Sequence, residues 1–169
     1  MLFDLDDTLL DYSSKVEGCW ARACTTIGTP EGIACDVLVA AIEAQRRWFW
    51  SDPDRHTRER VRMVDAWTKI AAAALDAIGR PSPAIARAIA EDFAARRRAA
   101  MALFPDALPC LTSLRESGLR LGLVTNGDPS LQHDKIARFA DGEPIHPFGK
   151  SKHLWRTLIE IALTWTIAF

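Results

Sequence analysis

The chain has 169 residues, 49% of them hydrophobic and 25% charged, with 21 basic and 22 acidic side chains and a net charge of −1. Such a composition belongs to a globular protein of one domain, or one domain with an insertion, that buries a sizeable core without metal or disulfide staples. The balanced charge argues against a surface built to grip nucleic acid, and the acidic start MLFDLDDTLL argues against a secretory leader. The apolar stretch 154–169 falls short of the roughly 20 residues that cross a bilayer and contains Arg156 and Glu160, so no membrane partner is expected. Cys19, Cys24, Cys35 and Cys110 have neither CxxC nor zinc-finger spacing and read as ordinary thiols of a reducing, cytoplasmic compartment.

Residues 1–5 are a short apolar run ending in acid, the pattern of a strand that opens into a loop. Ser14-x-x-Glu17 is a capping box, which predicts a first helix with Val16, Trp20, Ala23 and Ile27 on one face and a stop at Gly28 and Pro30. A second helix is expected from near Pro30 to about Trp48. The third has the clearest period: Val61, Val64, Thr68, Ala71, Leu75 and Ile78 step by three and four, Gly79 and Pro81 end it, and Asp52 could cap it from as early as Pro53. Ser82 followed by Pro83 opens a fourth, with Ile85, Ile89 and Phe93 inward and Arg96, Arg97 and Arg98 at its C-terminal end, where the helix dipole favours positive charge. Leu108, Leu111 and Leu114 mark a short helix ended by Gly118. Residues 119–124 form an apolar run of strand length, and residues 125–129 are a turn into another helix, with Asp128 as its cap. Helix, strand, turn and helix in that order predict an α/β fold with a parallel sheet, and the central helices read as an insertion after the first strand.

Two segments could carry chemistry. Asp4 and Asp6 stand two apart at the end of the first apolar run, and in extended chain such residues project to one side. A carboxylate pair at the C-terminal edge of a parallel sheet can divide nucleophilic and proton-transfer work, and it attracts a hard divalent cation such as Mg²⁺. The competing reading is of ordinary strand-end and turn aspartates. At the tip of the second strand, Thr125, Asn126 and the backbone amide of Gly127 are donors before a helix N-terminus, a natural site for phosphate oxygens. That segment could equally be a plain Asn-Gly turn.

Together these segments resemble the haloacid dehalogenase-like superfamily of hydrolases. Asp4-x-Asp6-x-Thr8 matches the family's first motif, and the apolar strand ending in Thr125-Asn126 matches its second. The helical stretch, taken as residues 12–104, resembles the cap inserted in one large branch, and the Gln132-x-x-Lys135-Ile136 helix resembles that branch as well. The core would then comprise residues 1–11 and 105–169. The resemblance implies a Mg²⁺-dependent phosphatase of a small phosphorylated metabolite. Asp4 would be the nucleophile that becomes an aspartyl phosphate. Asp6 would protonate the leaving alcohol and then activate water. The Asp4 side chain and the Asp6 carbonyl would bind Mg²⁺. Thr8 would brace the loop at the substrate edge, and Thr125, Asn126 and Gly127 would hold phosphoryl oxygens. An acid at position 6 separates the family's phosphatases from its dehalogenases.

The family's third motif is a lysine, for which Lys150 in Gly149-Lys150-Ser151 is the candidate and Lys135 the alternative, at a place where the family has a helix residue. The fourth, an acidic pair that completes the metal site, has no counterpart: Glu160 is the only acid after Lys150. The chain therefore reads as incomplete or altered at its C-terminal end. Arg58 and Arg62, expected one helical turn apart, could grip an anionic substrate, or they could belong to a solvated basic face. The alternative to an active phosphatase is a catalytically impaired chain of this fold that acts, if at all, as a binding module. A helical interaction module with an incidental Asp-x-Asp-x-Thr is a third reading, and it leaves the Thr125 segment unexplained.

Overall fold

The computed structural model describes residues 1–125 and 129–140. The chain divides into two compact units, residues 1–13 with 101 onward, and Ser14–Ala100. Each unit has its own hydrophobic core.

The first unit is α/β. Strand β1 (Leu2–Phe3) pairs in parallel with β4 (Gly122–Leu123), with Leu2 opposite Gly122 and Phe3 opposite Leu123. Gly122 N–H donates to Met1 O at 2.9 Å and Val124 N–H to Phe3 O at 2.8 Å, so the two strands end side by side. Helix α6 (Ala107–Glu116) precedes β4 and α7 (Pro129–Ala140) follows it. Leu5, Leu10 and Leu111 are fully buried and pack with Leu123 and Ile136. Helix α6 terminates where the sequence predicts, because Gly118 takes φ +79°, a left-handed position without penalty for glycine.

A second, antiparallel pair has no counterpart in the sequence reading. Strand β2 (Leu10–Asp11) meets β3 (Ala102–Leu103), Leu10 opposite Leu103 and Asp11 opposite Ala102. Two-residue strands carry no readable alternation, and the partners lie at opposite ends of the helical insertion in sequence.

The second unit is helical. Helix α1 (Val16–Ala23) begins with Lys15 in the cap position and no side-chain cap bond, so Ser14 is not its cap. Gly28 and Pro30 do not stop it either. The chain winds on through a π turn (Cys24–Gly28) and a 3₁₀ turn (Thr29–Glu31) and ends at Gly32, φ +70°. Gly28 is helical and serves close packing instead, since a Cβ there would sit 2.9 Å from Leu38 Cδ2. Helix α2 (Cys35–Trp50) therefore starts later than Pro30.

The single third helix of the sequence reading is two. Asp52 does cap α3 (Pro53–Glu59): its Oδ1 accepts the Arg55 N–H at 2.9 Å, and this hydrogen bond holds the carboxyl below the usual carboxylate range. The helix then breaks at Arg62, φ −140° and ψ 68°, before α4 (Met63–Ala77). Residues 53–60 offer no apolar face to hold a continuous helix on the core, and Val61, expected on that face, is 50% exposed. In α5 (Pro83–Ala100), Ser82 Oγ accepts the Ile85 N–H at 3.3 Å as the sequence predicts.

Helix α4 packs on α2 and α5, and α1 on α5. Ala66, Ala71 and Ala74 of α4 and Ala86 and Ala90 of α5 are fully buried, small side chains that let the helices approach closely. Phe93 stacks on Trp20 with ring centroids 3.8 Å apart and meets Trp67 edge-on at 5.0 Å. Among the described residues no helix is long and apolar enough to cross a membrane.

Candidate active site

The parallel pair brings the two motif segments to one sheet edge. Asp4 follows β1, Thr125 lies two residues beyond β4, and the Phe3–Leu123 register sets both at the C-terminal ends of neighbouring strands. Ligands bind at that edge in open α/β sheets.

Asp4 is exposed, and its Oδ1 accepts the N–H of Leu5 at 2.8 Å. Beyond it the chain is not extended. The N–H groups of Leu9 and Leu10 both donate to Leu5 O, at 3.1 and 2.9 Å, and Asp7 N–H donates to Leu10 O at 2.7 Å. The i, i+2 alternation expected of an extended Asp4–Asp6 segment therefore does not apply. Fully buried Leu5 and Leu10 and nearly buried Leu9 pin the turn to the core instead.

Asp7, unmarked in the sequence reading, locks this turn. It is the only non-glycine residue with positive φ among the described residues, at 57°. Aspartate tolerates that region better than most side chains. Its Oδ1 accepts the N–H groups of Tyr12 (3.1 Å) and Ser13 (2.8 Å), and its Oδ2 accepts the Ser13 hydroxyl at 2.6 Å. Thr8, expected to brace the loop, is exposed and makes no side-chain hydrogen bond among the described residues.

Asp6 meets α7. Lys135 Nζ lies 2.9 and 2.8 Å from its two carboxylate oxygens, and Gln132 Nε2 donates to Oδ2 at 3.2 Å. The Lys135 side chain is 6% exposed and that of Asp6 23%. The ammonium also stands 3.7 Å from the centre of the Tyr12 ring, a cation–π contact. Gln132, Lys135 and Ile136, spaced i, i+3, i+4, form the buried face of α7. Two polar side chains on one face with a core isoleucine were the available signal for this contact.

Thr125 Oγ1 is buried and has no hydrogen-bond partner among the described residues. Asn126, Gly127 and Lys150 lie outside the described residues. Among the described residues no group of three or more His, Cys, Asp or Glu side chains could hold a metal ion. The exposed Asp4 carboxylate is nevertheless a hard oxygen donor, while both Asp6 carboxylate oxygens are taken by Lys135.

The haloacid dehalogenase-like hydrolase family matches residues 1–155. The chain belongs to this family. It is also 27% identical over 151 residues to a glyceraldehyde 3-phosphate phosphatase of Methanopyrus kandleri, in an alignment covering 88% of this chain and 58% of the relative. It thus spans little more than half the length of that relative.

The arginines expected to grip substrate belong to the helical unit. Arg58 is in α3 and Arg62 at the cap of α4, on either side of the helix break, so they are not one turn apart on one helix. They line one groove with Glu59, Val61, Asp65 and Lys69. Glu59 pairs with Lys69 and Arg58, and the Lys69 hydrogen bond holds its carboxyl below the usual range.

Proposed function

We propose that the chain is a phosphatase acting on a small phosphate monoester. The observation that carries this reading is the buried Thr125 hydroxyl, without a hydrogen-bond partner among the described residues, just beyond the strand that pairs with the one leading to the exposed Asp4 carboxylate. A buried hydroxyl without a partner is costly unless a ligand satisfies it, and a phosphoryl oxygen is the matching acceptor at a nucleophile's sheet edge. A relative named as a glyceraldehyde 3-phosphate phosphatase supports a small phosphorylated substrate.

In this reading Asp4 attacks phosphorus, its oxygen gaining the P–O bond as the ester P–O bond breaks. Asp6 supplies the proton that leaves with the alcohol, then takes one from the water that releases phosphate from Asp4. Thr125, with Asn126 and the Gly127 amide, holds the phosphoryl oxygens, and Lys150 is the further candidate cation. Mg²⁺ fits the donor set through the Asp4 side chain and the Asp6 backbone carbonyl, because this ion keeps several waters and needs only one or two carboxylates beside substrate phosphate. Bound there, it would neutralise charge between nucleophile and phosphate. The helical unit would act as a cap, and Arg58 and Arg62 are its candidate residues for an anionic substrate. Four free thiols support action in a reducing, cytoplasmic compartment.

One observation favours a second reading, phosphate binding without turnover: no third acid joins Asp4 and Asp6 among the described residues. The deciding experiment is hydrolysis of p-nitrophenyl phosphate by the purified chain with and without Mg²⁺, beside Asp4→Asn. Turnover that needs both the metal and Asp4 supports the phosphatase. Phosphate-protected folding with no turnover supports the second reading.

A further inference from the structure

We propose that Lys135 is a positioning residue that sets the Asp6 carboxylate for proton transfer, with Gln132 as its second. The inference rests on the phosphatase reading above. Asp6 stands on the tight turn after β1, and its short side chain has its own rotamer freedom. Proton transfer demands donor and acceptor within about 2.6–3.2 Å, so a wandering carboxylate transfers poorly. Helix α7 removes that freedom. Lys135 bridges both oxygens and Gln132 fixes one of them, three hydrogen bonds from one helix face.

The cost of the arrangement points the same way. Burying an ammonium costs desolvation, and an apolar side chain beside Ile136 would pack at least as well. The Tyr12 ring lies over the ammonium, and Tyr12 is itself held through its N–H by Asp7. The turn that carries Asp6 and the cation that orients it are thus braced by the same residue.

The test is a double-mutant cycle of Asp6→Asn and Lys135→Met on the purified chain, with two esters: p-nitrophenyl phosphate, whose leaving group needs little proton help, and glycerol phosphate, whose leaving group needs much. Read as release of the alcohol in a single turnover, the step before Asp6 takes a proton from water, Lys135→Met is expected to be slowed about 10²-fold on glycerol phosphate and under about tenfold on p-nitrophenyl phosphate, with KM nearly unchanged. Lys135→Arg restores part of the loss. In the Asp6→Asn background Lys135→Met is expected to cost nothing further. An equal loss on both esters, a raised KM or an additive double mutant overturns the proposal, since each marks a direct or unrelated role. Gln132→Leu, which removes one of the three bonds, should show the same leaving-group pattern more weakly and serves if Lys135→Met does not fold. The same cycle read as Tm, without metal or substrate, is expected to show coupling between Asp6 and Lys135, and its absence overturns the pairing itself. Coupling in Tm with no wild-type turnover overturns the phosphatase reading and reduces the pair to a structural one.

Discussion

The Asp7 carboxylate closes a ring with Ser13, its Oδ2 accepting the Ser13 hydroxyl at 2.6 Å and its Oδ1 the Ser13 N–H at 2.8 Å. This clamp holds the turn between the two candidate catalytic carboxylates and the point where the chain enters the helical unit. Ser13→Ala is expected to cost about 1 kcal/mol, the net worth of one such bond. Asp7→Ala should cost more, about 2–3 kcal/mol, because it loses three bonds and leaves alanine at φ 57°. Asp7→Gly separates the two effects: it relieves the strain while still losing the bonds, so its urea midpoint should fall between those of wild type and Asp7→Ala. Equal midpoints for the alanine and glycine variants would show that strain plays no part.

Thr125→Val should divide stability from binding. The Oγ1 atom is buried without a partner among the described residues, so replacing the hydroxyl by a methyl should leave Tm unchanged or raise it. Phosphate affinity should fall roughly tenfold, the worth of one hydrogen bond to a charged group. Isothermal titration with inorganic phosphate, beside a melting curve, measures both.

Glycines 28 and 32 should fail for different reasons. A methyl at Gly28 would lie 2.9 Å from Leu38 Cδ2, and Leu38 is fully buried, so Gly28→Ala should cost about 1–3 kcal/mol by overpacking. Gly32→Ala meets no neighbour but is strained at φ +70°, at a cost of about 1 kcal/mol. Adding Leu38→Val should recover part of the first loss and none of the second.

Phe93→Ala should be the most damaging core change, at about 3–5 kcal/mol, because it leaves a cavity between Trp20 and Trp67. Tryptophan emission of the folded variant should shift toward the red as water reaches those rings. An unshifted spectrum and an unchanged Tm would show that the helices collapse onto the gap.

The Cys24 thiol should be silent. Burial pushes it from 9.0 up to about 12, and the thiolate is the reactive form. Ellman's reagent at pH 8 should modify exposed Cys110 first and reach Cys24 only after unfolding. The sign of the linkage follows. Between about pH 9 and 12 the unfolded thiol loses its proton while the folded one keeps it, so the stability this group contributes falls as pH rises through that window. Cys24→Ala should flatten the alkaline side of the stability profile.

Much of this protein was legible in its sequence because the signals are local. Ser82 and Asp52 cap helices through their own side chains, Gly118 ends α6 through its own φ, and the apolar run after Leu119 contains a strand. The pairing of Asp4-x-Asp6 with Thr125 was legible as two motifs matching one family, and their adjacency follows from a parallel strand pair. The third helix was legible from its period, but its possible extension back to Pro53 misled, because a cap at Asp52 marks a helix start and not whether that helix runs on into the next. Gly28 misled because a glycine required for close approach looks, in sequence, like one that ends a helix.

Tertiary structure alone decided the rest. Whether Lys135 serves solvent or Asp6 depends on where α7 lies against a turn at the other end of the chain, and no local pattern records that distance. The β2–β3 pair depends likewise on two dipeptides meeting across the helical insertion. Sequence by itself determined the residue types, their spacing and the family. Side chains far apart in the chain met only through packing, because hydrogen bonds and ion pairs act over a few ångströms of space, whatever the separation along the backbone.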